Sequence, residues 1–143
     1  MRGKSLDRKR RRYWGRYARD LADRMELRDW TINMMIRPAE EGADAACQCL
    51  SGSKTANVMI GLNFDGLSPE QQRQTICHEL LHLHLSGIER VIIDAKQTIN
   101  KYWFDIVFTG IGTHMEHAVD AIADGYAKAM PLPPVKKAKG KKE

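Results

Sequence analysis

One strongly signalled helix with two histidines four residues apart constrains this 143-residue chain more than any other feature. Ser68-Pro69-Glu70-Gln71 is a capping box, in which the serine and the glutamine satisfy each other's backbone amides and open a helix. We therefore predict a helix over residues 68–86 that stops at Gly87. The helix is apolar on nearly every side because it carries Leu80, Leu81, Leu83 and Leu85. Polar residues on such a buried helix require partners.

The polar residues at its centre are His78, Glu79 and His82, which form the pattern His-Glu-x-x-His. Side chains four positions apart share one face of a helix, so the two imidazoles can converge on a single tetrahedral zinc ion. Glu79 projects beside them and is placed to take a proton from a zinc-bound water, while the metal polarises the carbonyl under attack. The motif predicts one catalytic Zn²⁺ per chain.

A catalytic zinc site usually has a third protein ligand. Glu116 and Asp120 lie four residues apart in a second predicted helix, which the capping-box pattern Thr113-x-x-Glu116 opens and which ends near residue 130. One carboxylate can bind the metal while the other accepts a hydrogen bond from a ligating imidazole. His114 and His117 are alternative third ligands, or groups that stabilise the oxyanion of the transition state.

Two other candidates for the third ligand are weaker. His84 lies only two residues from His82 and therefore on a different side of the helix, so we expect it to support a metal ligand through a hydrogen bond, or to pack, rather than to bind metal. The extended metzincin motif needs glycine at position 85 and histidine at position 88, where this chain has Leu85 and Ile88. The sequence therefore excludes a metzincin.

Periodicity elsewhere indicates an α+β fold. Residues 13–25 have the spacing of an amphipathic helix, and apolar residues alternate over residues 30–36 and 57–64, with a further short candidate strand at residues 45–50. We predict a small, mainly antiparallel sheet of about three strands, packed on the N-terminal helix and the two metal-bearing helices. Residues 88–108 are predicted to be helical.

The charges are distributed unevenly. Residues 1–30 carry 11 Lys and Arg against 5 Asp and Glu, residues 131–143 carry 5 against 1, and the stretch between them carries 7 against 12. This pattern divides the chain into a basic N-terminal arm (1–12), one domain (13–130) and a disordered tail rich in Pro and Lys (131–143). Basic ends attract phosphate backbones without reading sequence, so we expect non-specific nucleic-acid contact, or else simply solvated termini.

Composition also limits the compartment. No stretch approaches the roughly 18 apolar residues that a membrane-spanning helix needs, and the basic N-terminus is not followed by the apolar region of a signal peptide. Cys47, Cys49 and Cys77 are an odd number of cysteines, which does not suit a disulfide framework. We therefore expect a cytoplasmic protein with reduced thiols, with Cys47 and Cys49 as small buried residues on a strand, and without membrane contact.

The order of short strands, His-Glu-x-x-His helix and Glu-x-x-x-Asp helix resembles the gluzincin metallopeptidases. The likeness covers about residues 30–130 and is greatest to the compact cytoplasmic peptidases of the ImmA/IrrE type and their relatives on phages and mobile elements. It implies a minimal zincin-like fold and a zinc peptidase in a bacterial or phage-infected cell. In that peptidase the metal ligands are His78, His82 and Glu116, the general base is Glu79, and Asp120 orients His78. A chain of the SprT type would use histidine as the third ligand instead.

The resemblance also implies that the strand before the metal helix lines the cleft and binds an extended peptide along an exposed edge. The residues of that strand are Asn57, Val58, Met59, Ile60, Gly61, Leu62 and Asn63. Tyr102, Trp103 and Phe104 would form a lid or a pocket wall, or would pack in the core. Two other functions stay open: a nucleic-acid-binding protein with a structural zinc site, and an inactive peptidase-like module that binds peptides.

Overall fold

The computed structural model describes residues 2–37, 43–50 and 52–134, with the backbone alone for residues 2–6. Three long helices and three short strands make up this part of the chain, which confirms the predicted α+β class. In chain order they are α1 (Arg2–Arg24), β1 (Thr31–Ile36), β2 (Ala45–Leu50), β3 (Thr55–Ile60), α2 (Pro69–Ala95) and α3 (Lys101–Ala129). A single 3₁₀ turn at Phe64–Gly66 leads from β3 towards α2.

The sheet is mixed, with strand order β1-β3-β2. β3 pairs in parallel with β1, from Thr31 opposite Thr55 onwards, and antiparallel with β2, from Ala45 opposite Ile60 onwards. The expectation of a mainly antiparallel sheet is therefore wrong for one of the two strand pairs. Alternating hydrophobicity identifies the strands but carries no information on which strands are neighbours, and here the last strand inserts between the first two.

The central position of β3 also corrects the predicted peptide-binding edge. Asn57, Val58, Met59 and Ile60 belong to a strand that is hydrogen-bonded on both sides, while Gly61, Leu62 and Asn63 follow its end. The inward-facing residues Ala56, Val58 and Ile60 are fully buried, as expected for the middle of a sheet. Among the described strands, the two that have a free edge are β1 and β2.

The first helix is longer than its amphipathic pattern indicates. α1 begins at Arg2, so the described residues of the predicted basic arm (1–12) form the first half of a helix. Its second half supplies much of the core through Trp14, Tyr17, Ala18, Leu21 and Ala22. The indole Nε1 of Trp14 donates to Asp65 Oδ1 at 2.7 Å, which ties α1 to the turn after β3.

The first residues of the predicted disordered tail pack on α1. Tyr17 Oη donates to the carbonyl of Pro131 at 2.7 Å, and Tyr13 Oη donates to that of Pro134 at 2.6 Å. Arg73 of α2 donates to the carbonyl of Met130 at 2.9 Å. Residues 131–134 are thus held in place, and the remainder of the predicted tail (135–143) lies outside the described residues.

The capping box of α2 is confirmed, but the helix does not stop at Gly87. The amide of Gln71 donates to Ser68 Oγ at 3.2 Å, and the amide of Ser68 donates to Gln71 Oε1 at 3.0 Å. The helix then continues to Ala95. A glycine ends a helix only where the backbone turns left-handed, and Gly87 keeps the ordinary helical conformation.

The last helix begins earlier than predicted. Asn100 caps α3, because its side chain accepts a hydrogen bond from the amide of Tyr102 at 2.9 Å. Thr113 therefore lies inside the helix, where its hydroxyl donates to the carbonyl of Thr109 at 3.0 Å. The second predicted capping box is wrong, although the helical face that carries Glu116 and Asp120 is unchanged. α3 packs along α2, and this pairing brings the carboxylates of one helix to the histidines of the other.

Tyr17 donates a hydrogen bond to the carbonyl of Pro131, and its substitution tests how much this contact between α1 and the residues after α3 stabilises the fold. We expect Tyr17→Phe to lower the free energy of unfolding by about 1 kcal/mol, because it removes one buried hydrogen bond. Burial raises the pKa of Tyr17, so the native state keeps the phenol protonated while the unfolded state ionises near pH 10. Wild-type stability should therefore fall above about pH 10, and the fall should be smaller in Tyr17→Phe.

Urea unfolding from pH 8 to pH 11 measures both effects. Tyr102→Phe is the matched control, since the Tyr102 side chain is exposed and should change neither value. If the free energy of unfolding fell equally with pH in Tyr17→Phe and in wild type, the fall would not come from ionisation of Tyr17.

Candidate metal centre

Three side chains from two helices converge in one place. His78 and His82 of α2 bring their Nε2 atoms within 3.2 Å of each other. Glu116 of α3 places its carboxylate 3.5 Å from His78 Nε2 and 3.6 Å from His82 Nε2. Ligand atoms around a tetrahedral zinc ion with bonds of about 2.0–2.1 Å lie about 3.3–3.4 Å apart. The three side chains are therefore spaced as a metal site requires.

Carboxylates fix the other nitrogen of each imidazole. Asp120 Oδ1 lies 2.9 Å from His78 Nδ1, and Glu89 Oε1 lies 3.0 Å from His82 Nδ1. When Nδ1 donates its proton to the carboxylate, Nε2 is left with a lone pair. Two such lone pairs 3.2 Å apart repel each other unless a cation lies between them. This donor set, with two imidazoles and one carboxylate, fits a divalent metal and suits zinc.

The structure brings together every residue of the predicted ligand set and adds one that the sequence analysis missed. Glu89 follows His82 by seven residues, or two helical turns, and so shares its face of α2. The helix predicted from the sequence stopped at Gly87, so Glu89 fell outside it, whereas the observed helix continues to Ala95. The periodicity alone would have identified Glu89 if the helix had been continued.

Glu79 lies beside the cluster and is largely buried, with 7% of its surface exposed. Burial raises the pKa of this carboxyl, and the neighbouring His78 and His82 oppose that rise. A backbone hydrogen bond from Cys47 on β2 also acts on the carboxylate. Glu79 is thus held between the metal helix and the edge of the sheet, where it is more basic than an exposed glutamate.

The cluster opens into a cleft of about 460 Å³. Its walls are formed by β2 on one side and by His78, Glu79, His82, Glu89 and Glu116 on the other. A second cleft of about 330 Å³ lies next to it, bounded by Ala45, Gln74, Thr75 and Asp120 among others, and it also reaches His78 and Glu79. The reactive groups therefore face space that a substrate chain can occupy.

β2 presents a free strand edge to this site. The amide of Gly61 donates to the carbonyl of Asp44 at 2.9 Å, which shows which residue pairs of the antiparallel ladder are hydrogen-bonded and which are not. By the alternation of that ladder, the backbone groups of Ala45, Cys47 and Cys49 point away from β3. The edge beside the metal centre is thus β2 and not the predicted residues 57–63.

The cysteines of β2 line the cleft and also pack against the core. Cys47 and Cys49 are half-buried and border the same cleft as the candidate ligands, whereas Cys77 is buried in the core. Burial raises the pKa of all three thiols, to about 11 for Cys77, so each is protonated at neutral pH. The expectation that Cys47 and Cys49 are simple packing residues is therefore only partly met.

The alternative histidine ligands do not join the cluster. His114 and His117 are exposed and contact each other, with ring centroids 6.4 Å apart. Within residues 2–37, 43–50 and 52–134, His78, His82 and Glu116 are the one group of three that could hold a metal ion. The prediction of His114 or His117 as the third ligand is therefore wrong, because the side chain that lies beside His78 and His82 is that of Glu116. His84 is exposed and lies outside the cluster, with Nε2 2.8 Å from the carbonyl of Met25.

The aromatic residues near the start of α3 do not form a wall of the metal cleft. Tyr102 and Trp103 are exposed, and Phe104 stacks on Phe108 with ring centroids 4.4 Å apart. None of the three lines either cleft at the cluster. The prediction of a pocket wall is therefore wrong, because these residues lie some three turns away from Glu116 along the helix.

Comparison of the chain with protein-family models, with curated proteins and with solved structures finds no match. Among the described residues, no helix is both long enough and apolar enough to cross a membrane. What can be said of function therefore rests on the geometry of the metal centre.

The third ligand gives the first test of the site. Glu116→Ala should lose metal under gentle chelation that leaves about one zinc ion on each wild-type chain, because two imidazoles alone hold zinc weakly. Asp124→Ala is a matched control on the same helix, since this exposed carboxylate pairs only with Lys128. Metal content by mass spectrometry measures the loss, and equal retention by Glu116→Ala and wild type would remove Glu116 from the ligand set.

The carboxylate behind His82 gives the second test. Glu89→Gln should weaken zinc binding by about 10–100-fold, because a neutral amide makes the imidazole a poorer ligand and holds it less firmly. The control is Glu26→Gln, an exposed residue whose partner is Arg28. Competition with a chromogenic chelator measures both affinities. An unchanged affinity for Glu89→Gln would show that its contact with His82 does not support the metal.

Proposed function

We propose that this protein is a zinc-dependent metallopeptidase in which Glu79 is the general base. The observation that carries the proposal is the convergence of His78, His82 and Glu116 beside the buried carboxyl of Glu79. All four side chains face one cleft that is bordered by a free strand edge. The resemblance to gluzincin peptidases supports the same assignment.

Each residue has a separate task in this mechanism. His78, His82 and Glu116 would hold the metal, and Asp120 and Glu89 would keep the imidazoles oriented. A bound zinc ion supplies Lewis acidity, which polarises a substrate carbonyl and lowers the pKa of a water molecule. The carboxylate of Glu79 accepts the proton of the attacking water and can pass it to the leaving amine. Burial of Glu79 makes it a better proton acceptor for that purpose.

The edge of β2 favours an extended peptide as the substrate. The outward backbone groups of Ala45 and Cys49, together with the carbonyl of Cys47, can pair with a peptide strand that runs along the cleft. The amide of Cys47 is already bonded to Glu79. Main-chain pairing of this kind accepts many sequences and leaves selectivity to the side-chain pockets. The small side chains of Ala45 and Cys47 leave room there for substrate side chains.

The open cleft also distinguishes a catalytic zinc site from a structural one. Structural zinc is almost always enclosed by four protein ligands, whereas catalytic zinc has three and keeps one position open. Among the described residues, three ligand groups converge, and they face a cleft. This arrangement favours catalysis over a purely structural role.

A single substitution tests the general base. Glu79→Gln should retain zinc but lower the rate of peptide cleavage by about 10²–10⁴-fold, since the amide cannot accept the proton. Fluorescein-labelled casein and a pool of internally quenched peptides serve as probes. Glu70→Gln, an exposed change on the same helix, is the matched control and should cleave at the wild-type rate.

Two results would contradict the proposal. Cleavage by Glu79→Gln at the wild-type rate would remove Glu79 from the mechanism. Zinc-loaded wild-type protein that binds the probe peptides without cutting any of them would identify an inactive peptide-binding module instead.

A further inference from the structure

The basic residues of α1 differ from those of the other helices, because most of them have no acidic partner within the described residues. On α2 and α3, three of the four Lys and Arg residues contact an acid four positions away, in the pairs Arg90–Asp94, Lys101–Asp105 and Lys128–Asp124. On α1, Arg10 pairs with Asp65 and Arg24 pairs with Asp20. Arg19 is half-buried and donates to the carbonyl of Trp30. Five exposed cations of α1 form no ion pair within the described part of the chain: Arg8, Lys9, Arg11, Arg12 and Arg16. We call these five residues the α1 basic face.

The α1 basic face is exposed on both flanks of the helix. Arg8, Arg11 and Arg12 line a shallow cleft of about 600 Å³ between α1 and β1. Lys9, Arg12 and Arg16 line a cleft of about 430 Å³ on the other flank, which Pro134 also borders. Arg12 belongs to both clefts, so the helix forms a cationic ridge between two depressions. From Arg8 to Arg16 the ridge is about 12 Å long.

A ridge of this kind needs an anionic partner, and its surroundings limit which one. An interfacial helix binds lipid by inserting its apolar face, but the apolar face of α1 is buried in the core at Trp14 and Leu21. A lipid surface is therefore a poor partner. An extended acidic peptide is a single strand and would fill only one of the two flanking clefts.

A double helix supplies negative charge on both sides of a helix at once. The major groove of B-form DNA is about 12 Å wide, and an α-helix with its side chains is about 10–12 Å across. A helix in that groove has a phosphate strand on each flank. A-form RNA has a deep and narrow major groove that does not admit side chains in this way.

We propose that the α1 basic face binds duplex DNA through its phosphates, without reading sequence. Arg8, Arg11 and Arg12 contact one strand, and Lys9 and Arg16 contact the other. The contact does not involve the metal centre and would deliver DNA-bound proteins to it if the protein is a peptidase. The interaction is between positively charged side chains and DNA phosphates, so the affinity should fall steeply as the salt concentration rises.

Fluorescence anisotropy with a labelled 20-base-pair duplex of random sequence tests the proposal. The full chain should bind at about 50 mM salt, and log K should fall against log salt with a slope of about −0.9 for each phosphate contacted. The triple variant Arg8→Gln, Arg11→Gln, Arg12→Gln should bind more weakly and with a slope smaller by about 3. The double variant Lys9→Gln, Arg16→Gln should reduce the slope by about 2.

A second triple variant controls for net charge. Arg90→Gln, Lys101→Gln, Lys128→Gln removes the same number of charges from ion pairs on the other two helices, so its affinity and slope should stay at the wild-type values. All five residues of the α1 basic face are exposed, so their substitution should leave the circular dichroism spectrum and the melting temperature unchanged.

Four outcomes would overturn the proposal. Absence of binding at 50 mM salt would end it, and an equal loss in both triple variants would show a response to net charge only. A loss confined to one flank would contradict a helix lodged between two strands. Tighter binding of polyglutamate, of double-stranded RNA or of phosphatidylserine vesicles would assign the surface to that partner instead.

Discussion

The arrangement of the candidate site depends on the close approach of two imidazole nitrogens, His78 Nε2 and His82 Nε2, at 3.2 Å. Asp120 and Glu89 contact the opposite nitrogens of the two rings. Asp120 reaches His78 because α3 packs along α2, and Glu89 reaches His82 because α2 continues through Gly87. The length and pairing of the two helices therefore determine the geometry of the candidate metal site. A metal held by ligands from both helices would link them, so metal binding and the packing of these helices should stabilise each other.

Local signals in the sequence predicted the local structure well. The capping box at Ser68 and the bounds of β2 are found as expected, since both depend on residues close together in the chain. Strand order depends on contacts between distant residues, so the central position of β3 could not be read from alternation. The signals at Gly87 and Thr113 failed for a related reason. A glycine or a threonine permits a helix boundary but does not impose one, and both helices continue through these positions.

The sequence predicted more of the candidate metal site than of the sheet, for two reasons. The four-residue spacing of His78 and His82 and of Glu116 and Asp120 fixes which side chains share a face, whatever the helix boundaries are. The resemblance to gluzincins then linked the two helices, which spacing alone could not do. Glu89 was missed because it follows the misplaced boundary. The edge at β2 was missed because the sequence gives no sign of which strand borders the cleft.

The hydrogen bonds from Tyr13 and Tyr17 to the prolines after α3 join two distant parts of the chain. They hold Pro134 at the cleft that contains Lys9 and Arg16. More than a hundred residues separate each tyrosine from its partner, and the sheet and the other two helices all lie within the loop that these contacts close. Because the entropic cost of closing a loop grows only slowly with its length, two hydrogen bonds can help to join the ends of so long a segment.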